Sequence, residues 1–198
     1  TPVSSDGVSD LSYITEVSQT IAKSLKHGDL VVFRSTVPVG TMRNIVLPIL
    51  ETSELSCGRD FHLAFAPERT VEGNALEELR LLPQIVGGFS PASTSMAAKL
   101  FRRVTNTIIE VDSLEEAELV KLMNNTFRDL VFSFANEVAA ICDEFNINAF
   151  DIIRAANEGY PRDRIPMPSP GVGGICLSKD PYLYTSPIAP LKTPPVLG

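Results

Sequence analysis

The sequence predicts an α/β domain with a largely parallel sheet, followed by an all-helical domain introduced by one long helix. Three observations carry this expectation. Through residues 1–112, short apolar runs alternate with amphipathic stretches, the texture of helices layered on a mostly parallel sheet. From Ser113 the texture changes to an uninterrupted helical pattern without Gly or Pro as far as Phe145. Ser113 with Glu116 three residues on then makes a capping box at its start, a local signal for a helix N-terminus.

Taken in order, residues 11–25 read as a helix with Asp10 as N-cap. The apolar run 29–33 after Lys26-His27-Gly28 reads as a buried strand. Residues 41–51 are helical, with a loop through Gly58, and 62–66 and 84–87 are further strands. A helix over 91–104 and a strand over 107–111 complete the alternation. In the long helix, Leu119, Leu122, Leu130, Phe134, Ile141 and Phe145 mark a stripe expected to be buried. A helix of about 30 residues spans about 45 Å, longer than a small domain is wide, so it connects two domains or forms a dimer surface. Residues 149–157 form a second helix that ends at Glu158-Gly159. A loop rich in proline (Pro161, Pro166, Pro168, Pro170) follows, and the tail, with Pro187, Pro190, Pro194 and Pro195, cannot be regular helix. The expected division is therefore 1–112, 113–185 and a tail, 186–198.

Composition narrows the function. With 198 residues, 44% hydrophobic and 21% charged, the chain is long enough to bury a core. A net charge of -7 with interspersed signs argues against a nucleic-acid face, though not against a small anionic ligand. No apolar run reaches the ~18 residues of a membrane span, and no basic-then-apolar leader opens the chain. Three cysteines without metal-type spacing fit a reducing, cytoplasmic setting and no metal. Cys57 lies in a polar, loop-like stretch without an assigned function, and Cys142 shares a helical face with Val138, Ile141 and Phe145, so it reads as core.

Four segments could carry chemistry. In Gly171-Val172-Gly173-Gly174-Ile175-Cys176-Leu177-Ser178-Lys179-Asp180, glycines allow close backbone approach and a nearby cation favours the thiolate; a turn followed by a buried small hydrophobe is the other reading. Thr36, in Ser35-Thr36-Val37-Pro38-Val39-Gly40, follows a strand where ligands of open α/β sheets bind, unless the segment is only a turn. Glu68 and Glu72, four apart, would meet on a helical turn as paired carboxylates or simply be solvated helix-start acids. Lys121 and Asn125 would present an ammonium and an amide side by side, suited to a developing oxyanion, or else face solvent.

Together and in this order, Ser35-Thr36-Val37-Pro38, Pro67-Glu68 with Glu72, Lys121-Leu122 with Asn125, and Gly173-Gly174-Ile175-Cys176 with Asp180 resemble the UDP-sugar dehydrogenase family. The Gly-Val-Gly-Gly and Leu-Ser-Lys-Asp-Pro flanks resemble its branch acting on N-acetylated UDP-hexosamines, UDP-N-acetylmannosamine above all. The resemblance implies the later part of a Rossmann-like NAD domain, then a central helical dimerisation domain. It implies oxidation of a sugar 6-alcohol to a uronic acid with two NAD in succession, Cys176 capturing the aldehyde as a thiohemiacetal that becomes a thioester. Lys121 and Asn125 would serve the oxyanion, Asp180 the water, and Glu68 the acid/base steps. Thr36, Glu72 and Lys179 would lie near the cofactor, and Gly173, Gly174, Arg162 and Arg164 near the substrate, the arginines from a neighbouring subunit. An alcohol reaches an acid by hydride transfers only if the aldehyde is captured as an adduct.

Two departures accompany it. No Gly-x-Gly-x-x-Gly follows a first strand, and the family continues beyond this region into a second α/β domain, so a fragment with poor binding and little turnover is expected. Ile175 also stands where a polar or small residue is frequent. A non-catalytic dimerisation module and a two-electron hydroxyacid-type dehydrogenase using Lys121 and Asn125 are the alternatives.

Overall fold

The computed structural model describes residues 1–4, 7–71, 73–170 and 179–186. It divides into two compact units, Thr1–Leu122 with the chain from Tyr182, and Met123–Pro181.

In the first unit, α1 (Ser12–Ala22) buries Ile14, Ser18 and Ala22, one residue per turn. Asp10 Oδ1 accepts from the Ser12 amide at 2.9 Å, but Leu11, not the expected Asp10, holds the N-cap position. The helix is shorter than 11–25 because the chain tightens at its end, where the Ser24 amide reaches Ile21. Strand β1 (Leu30–Phe33) follows. The stretch expected as one helix over 41–51 is composite: a π-helical turn (Met42–Val46), then α2 (Leu47–Leu50), then a 3₁₀ turn (Glu51–Ser53). Pro48 offers no N–H to the carbonyl of Asn44, where the wider turn lies.

Strand β2 (His62–Phe65) pairs parallel with β1, Leu30 opposite His62 and Phe33 opposite Phe65. Next comes α3 (Ala75–Leu81), a helix without a buried residue, in a stretch to which the sequence assigned no element. Strand β3 (Gln84–Gly88) then runs antiparallel to β2, α4 (Pro91–Phe101) follows, and β4 (Ile108–Val111) pairs parallel with β3. The order among the described residues is β1-β2-β3-β4. The sheet is thus parallel except at its centre. A parallel return needs a crossover that packs on the sheet, and α3, burying nothing, is no such crossover. The carboxyl ends of β1 and β2 therefore open on one edge, and those of β3 and β4 on the other.

Alternate residues supply the two faces of the sheet. Val31, Phe33, Leu63 and Phe65 pack with Met42, Val46, Leu50 and Leu114. Ala64, Ala66 and Val86 pack with Ala97 and Phe101 of α4. The start of that helix is capped by Ser90, whose Oγ accepts from the Ser93 amide, with Pro91 at the first helical position.

Helix α5 (Leu114–Glu144) is 31 residues long and passes from the first unit into the second. One half of its capping box forms, Ser113 Oγ accepting from the Glu116 amide at 3.1 Å, while Glu116 reaches one residue further back, to the Asp112 amide at 2.9 Å. The helix begins hard against the sheet: a Cβ on Gly87 would lie 2.1 Å from the Ser113 carbonyl oxygen. Only glycine permits that approach.

In the second unit, α6 (Ala149–Asn157) is capped by Asn148 and followed by Gly159 at φ +63°, as its sequence pattern requires. Ala135 and Cys142 of α5 and Ile153 of α6 are buried. The stripe expected to be buried is not: Leu122 is, but Leu119, Leu130, Phe134, Ile141 and Phe145 are 38–71% exposed, and Met123 and Phe127 extend the exposed face. Asn157 ties the Pro-rich loop through both side-chain atoms, to Ile165 O and Ile165 N. A short helix, α7 (Asp180–Thr185), closes the described chain.

Candidate active site

On the edge where β1 and β2 end, Arg34 organises the loops. Its Nε donates to Ala66 O at 3.2 Å and its Nη2 to Gln84 Oε1 at 3.0 Å, while Nη2 also meets Glu68 Oε2 at 2.9 Å. Glu68 Oε1 in turn accepts from the amides of Arg69 and Thr70 at 2.8 and 2.9 Å. Glu68 therefore sits in a loop, not on the helical turn its spacing from Glu72 suggests, and Glu72 lies outside the described residues. Burial pushes the Glu68 carboxyl up, but the Thr70 and Arg69 amides and the Arg34 charge outweigh it and hold it below its ordinary value. Arg34, which anchors this arrangement, went unnoticed in the sequence because it reads as a polar residue ending a strand.

Thr36 follows at the end of β1, half-buried, with Val37 and Pro38 buried beside it. The turn that follows it, residues 38–41, is held from α5. Glu118, 1% exposed, accepts the Gly40 amide at 2.6 Å through Oε2 and the Met42 amide at 2.8 Å through Oε1. Burial pushes its carboxyl up to about 7 against the pull of those amides. Sequence reading missed it, since among Glu115, Glu116 and Glu118 any acid looks like a solvated helix-start residue; its place three residues before Lys121 was the signal available. Next to it, Arg43 and Glu115 pair in bidentate fashion at 2.5 and 3.1 Å. Lys121 follows on α5, half-buried.

The second unit places Asn125, Lys179 and Asp180 together. Asp180 is fully buried; its Oδ2 accepts from Asn125 Nδ2 at 2.5 Å and its Oδ1 from Lys179 Nζ at 2.6 Å. A buried carboxylate is tolerable when paired and hydrogen-bonded in this way. Cys176, Gly173 and Gly174 lie outside the described residues. Arg162 and Arg164 are exposed, and Arg162 lies 5.1 Å over the Tyr160 ring while donating to Tyr160 Oη at 2.7 Å. Of the other thiols, Cys57 is buried in the core despite its polar sequence context, and desolvation raises it to about 11, which keeps it an inert thiol. Cys142 is buried, as expected. Among the described residues no group of three or more His, Cys, Asp or Glu could hold a metal, and no helix is long and apolar enough to cross a membrane.

The sheet with its helical layers defines the fold class as that of the Rossmann-type dehydrogenases. The chain belongs to the UDP-glucose/GDP-mannose dehydrogenase family: residues 1–105 match its NAD binding domain and residues 115–196 its central domain. It is 40% identical over 186 residues to the UDP-N-acetyl-D-mannosamine dehydrogenase of Pyrococcus horikoshii, covering 94% of this chain and 44% of that protein. It is 39% identical to the NDP-N-acetyl-D-galactosaminuronic acid dehydrogenase of Ralstonia solanacearum, covering 92% of this chain and 44% of that one. The solved structure of the Pyrococcus horikoshii UDP-D-ManNAc dehydrogenase superposes with a TM-score of 0.86 at 40% identity, over 92% of this chain and 43% of that chain. The chain thus spans less than half the length of these relatives.

Proposed function

We propose that the protein acts in the NAD-dependent four-electron oxidation of the 6-hydroxyl of a UDP-N-acetylhexosamine, UDP-N-acetylmannosamine favoured, to the uronic acid. The observation that carries this reading is Asp180, buried and held by Asn125 and Lys179, four residues beyond a cysteine in a family-matched central domain. The names of the relatives support the substrate class.

In this scheme the thiolate of Cys176 adds to the aldehyde carbon, forming a C–S bond while the carbonyl oxygen takes a proton. Loss of a further hydride and proton gives the thioester; water then adds, the C–S bond breaks, and the thiolate leaves the carboxylate. Lys121 and Asn125 stabilise the oxyanion, and Asn125 is held in one orientation by Asp180. Asp180 orients the water. Glu68, kept ionised by the Thr70 amide first and then by Arg34 and the Arg69 amide, serves the acid/base steps as a base. NAD, when bound, takes up hydride twice per sugar. The half-buried Thr36 hydroxyl on the carboxyl edge of β1 fits a polar cofactor edge, with Glu72 and Lys179 as its further ligands; Lys179 keeps two donors beyond the one given to Asp180. Gly173 and Gly174 contact the substrate.

Residues 1–112 form part of the NAD domain in this reading, 113–185 the central domain and 186–198 the tail, in a cytoplasmic protein. The exposed apolar stripe of α5 supports a homodimer through that helix, which lets Arg162 and Arg164 reach the substrate of the neighbouring subunit. Phe134→Glu should then shift the protein from dimer to monomer in analytical ultracentrifugation.

Counting NADH per sugar tests the chemistry. Two are expected; one would favour the hydroxyacid-type reaction. Uronic acid formed at the wild-type rate by Cys176→Ala would remove the covalent route.

A further inference from the structure

We infer that Glu118 is a positioning residue: its carboxylate fixes the turn that follows Thr36 by gripping the Gly40 and Met42 amides, and it does so only while both oxygens accept. The amides at the start of a helix lack intrahelical partners, and a negative group there is favoured by the helix dipole. Local residues supply part of this cap, Thr41 Oγ1 donating to Pro38 O at 2.6 Å and Asn44 Nδ2 to Gly40 O at 2.9 Å. Neither of those contacts supplies an acceptor for the Gly40 and Met42 amides. The acceptor comes from α5, 78 and 76 residues later in the chain.

The grip depends on charge. An ionised carboxylate is acceptor-only, whereas a protonated one turns an oxygen into a donor facing an N–H. The charged groups around Glu118 only partly offset its burial, Arg43 favouring the charged form and Glu115 opposing it. Arg43, from the π-helical turn, is committed to Glu115 of α5, and Glu115 itself pushes Glu118 toward protonation. Cys57, beside Arg43, is a buried thiol raised by desolvation. Burial is the largest influence on Glu118 and places its titration near neutrality. The turn that follows Thr36 is therefore tight at alkaline pH and looser below neutrality.

The functional part of this inference rests on the proposed dehydrogenase reading; the structural part does not. Amide NMR of Gly40 and Met42 between pH 5.5 and 8.5 should show both signals titrating together with a midpoint near 7. In Glu118→Gln the titration should vanish and both amides exchange about tenfold faster. Signals that do not titrate in the wild type, or titrate unchanged in Glu118→Gln, overturn the inference; should that variant not fold, the wild-type titration decides. Kinetically, Glu118→Gln should raise KM for NAD about fivefold, with kcat nearly unchanged, and abolish the pH dependence of that KM. Loss confined to kcat would overturn the positioning role. Titrating amides in a protein extended to the length of its relatives that still reduces no NAD would reject the dehydrogenase reading and leave the grip standing.

Discussion

Asn125 donates its side-chain amide to Asp180 Oδ2 at 2.5 Å across 55 residues of sequence, and Lys179 occupies the other oxygen. A carboxylate with no exposure is thereby matched by one amide and one ammonium, each on its own oxygen. Removing either donor leaves a buried acceptor short of a partner.

Asn125→Ala should accordingly destabilise the protein by roughly 2–3 kcal/mol, the scale of a hydrogen bond to a charged group. Asn125→Asp should be worse at pH 8 than at pH 5, because two carboxylates would then share one buried site. Urea denaturation at both pH values measures this.

For Glu118 the linkage has a definite sign. Its folded value, about 7, lies above the ordinary 4.5, so the folded state holds a proton that the unfolded state has lost in between. Stability from this group is complete below pH 4.5 and is lost as pH rises toward 7, by on the order of 3–4 kcal/mol. The difference in melting temperature between wild type and Glu118→Gln should therefore change across that window and be flat above about pH 8.

Arg34→Met should raise the carboxyl of Glu68 toward its ordinary value by removing a charge 2.9 Å away, while the Arg69 and Thr70 amides continue to hold it down. Both side chains are partly exposed, at 31% and 43%, so the ion pair itself contributes less than about 1 kcal/mol. Carbon-detected NMR titration of Glu68 reads the shift directly; no movement would mean that the amides alone set its value.

Gly87→Ala should lower stability by roughly 2–4 kcal/mol, since the added methyl would meet the Ser113 carbonyl at 2.1 Å and Ala117 Cβ at 2.9 Å. A fall of about 5–15 °C in melting temperature is expected for a chain of this size.

Much of this was legible in the sequence, for local reasons. Strands β1, β2, β3 and β4 lie where apolar runs stood between turn residues, and α6 ends at Asn157 because Gly159 follows it. The capping box placed the start of α5 to the residue. What stayed hidden depends on partners far away in the chain. The direction of β3 follows from how its connection packs, and α3 carries no apolar stripe to announce it. The stripe on α5 has the right period for burial, but period alone does not say whether the covering surface lies in the same chain. Glu68 and Glu72 have helical spacing without a helix around Glu68. Arg34 and Glu118 look like ordinary polar residues until the sheet edge and the turn at Gly40 are brought to them.

The distance between Glu118 and the amides it holds also has a consequence in time. During synthesis, Gly40 leaves the ribosome 78 residues ahead of its acceptor, roughly 4–16 s at ordinary elongation rates. Throughout that interval β1 and β2 are already available to pair, whereas the turn that follows Thr36 lacks the group that fixes it. The sheet can thus form early, and the shape of its ligand-facing edge is settled only when the long helix emerges.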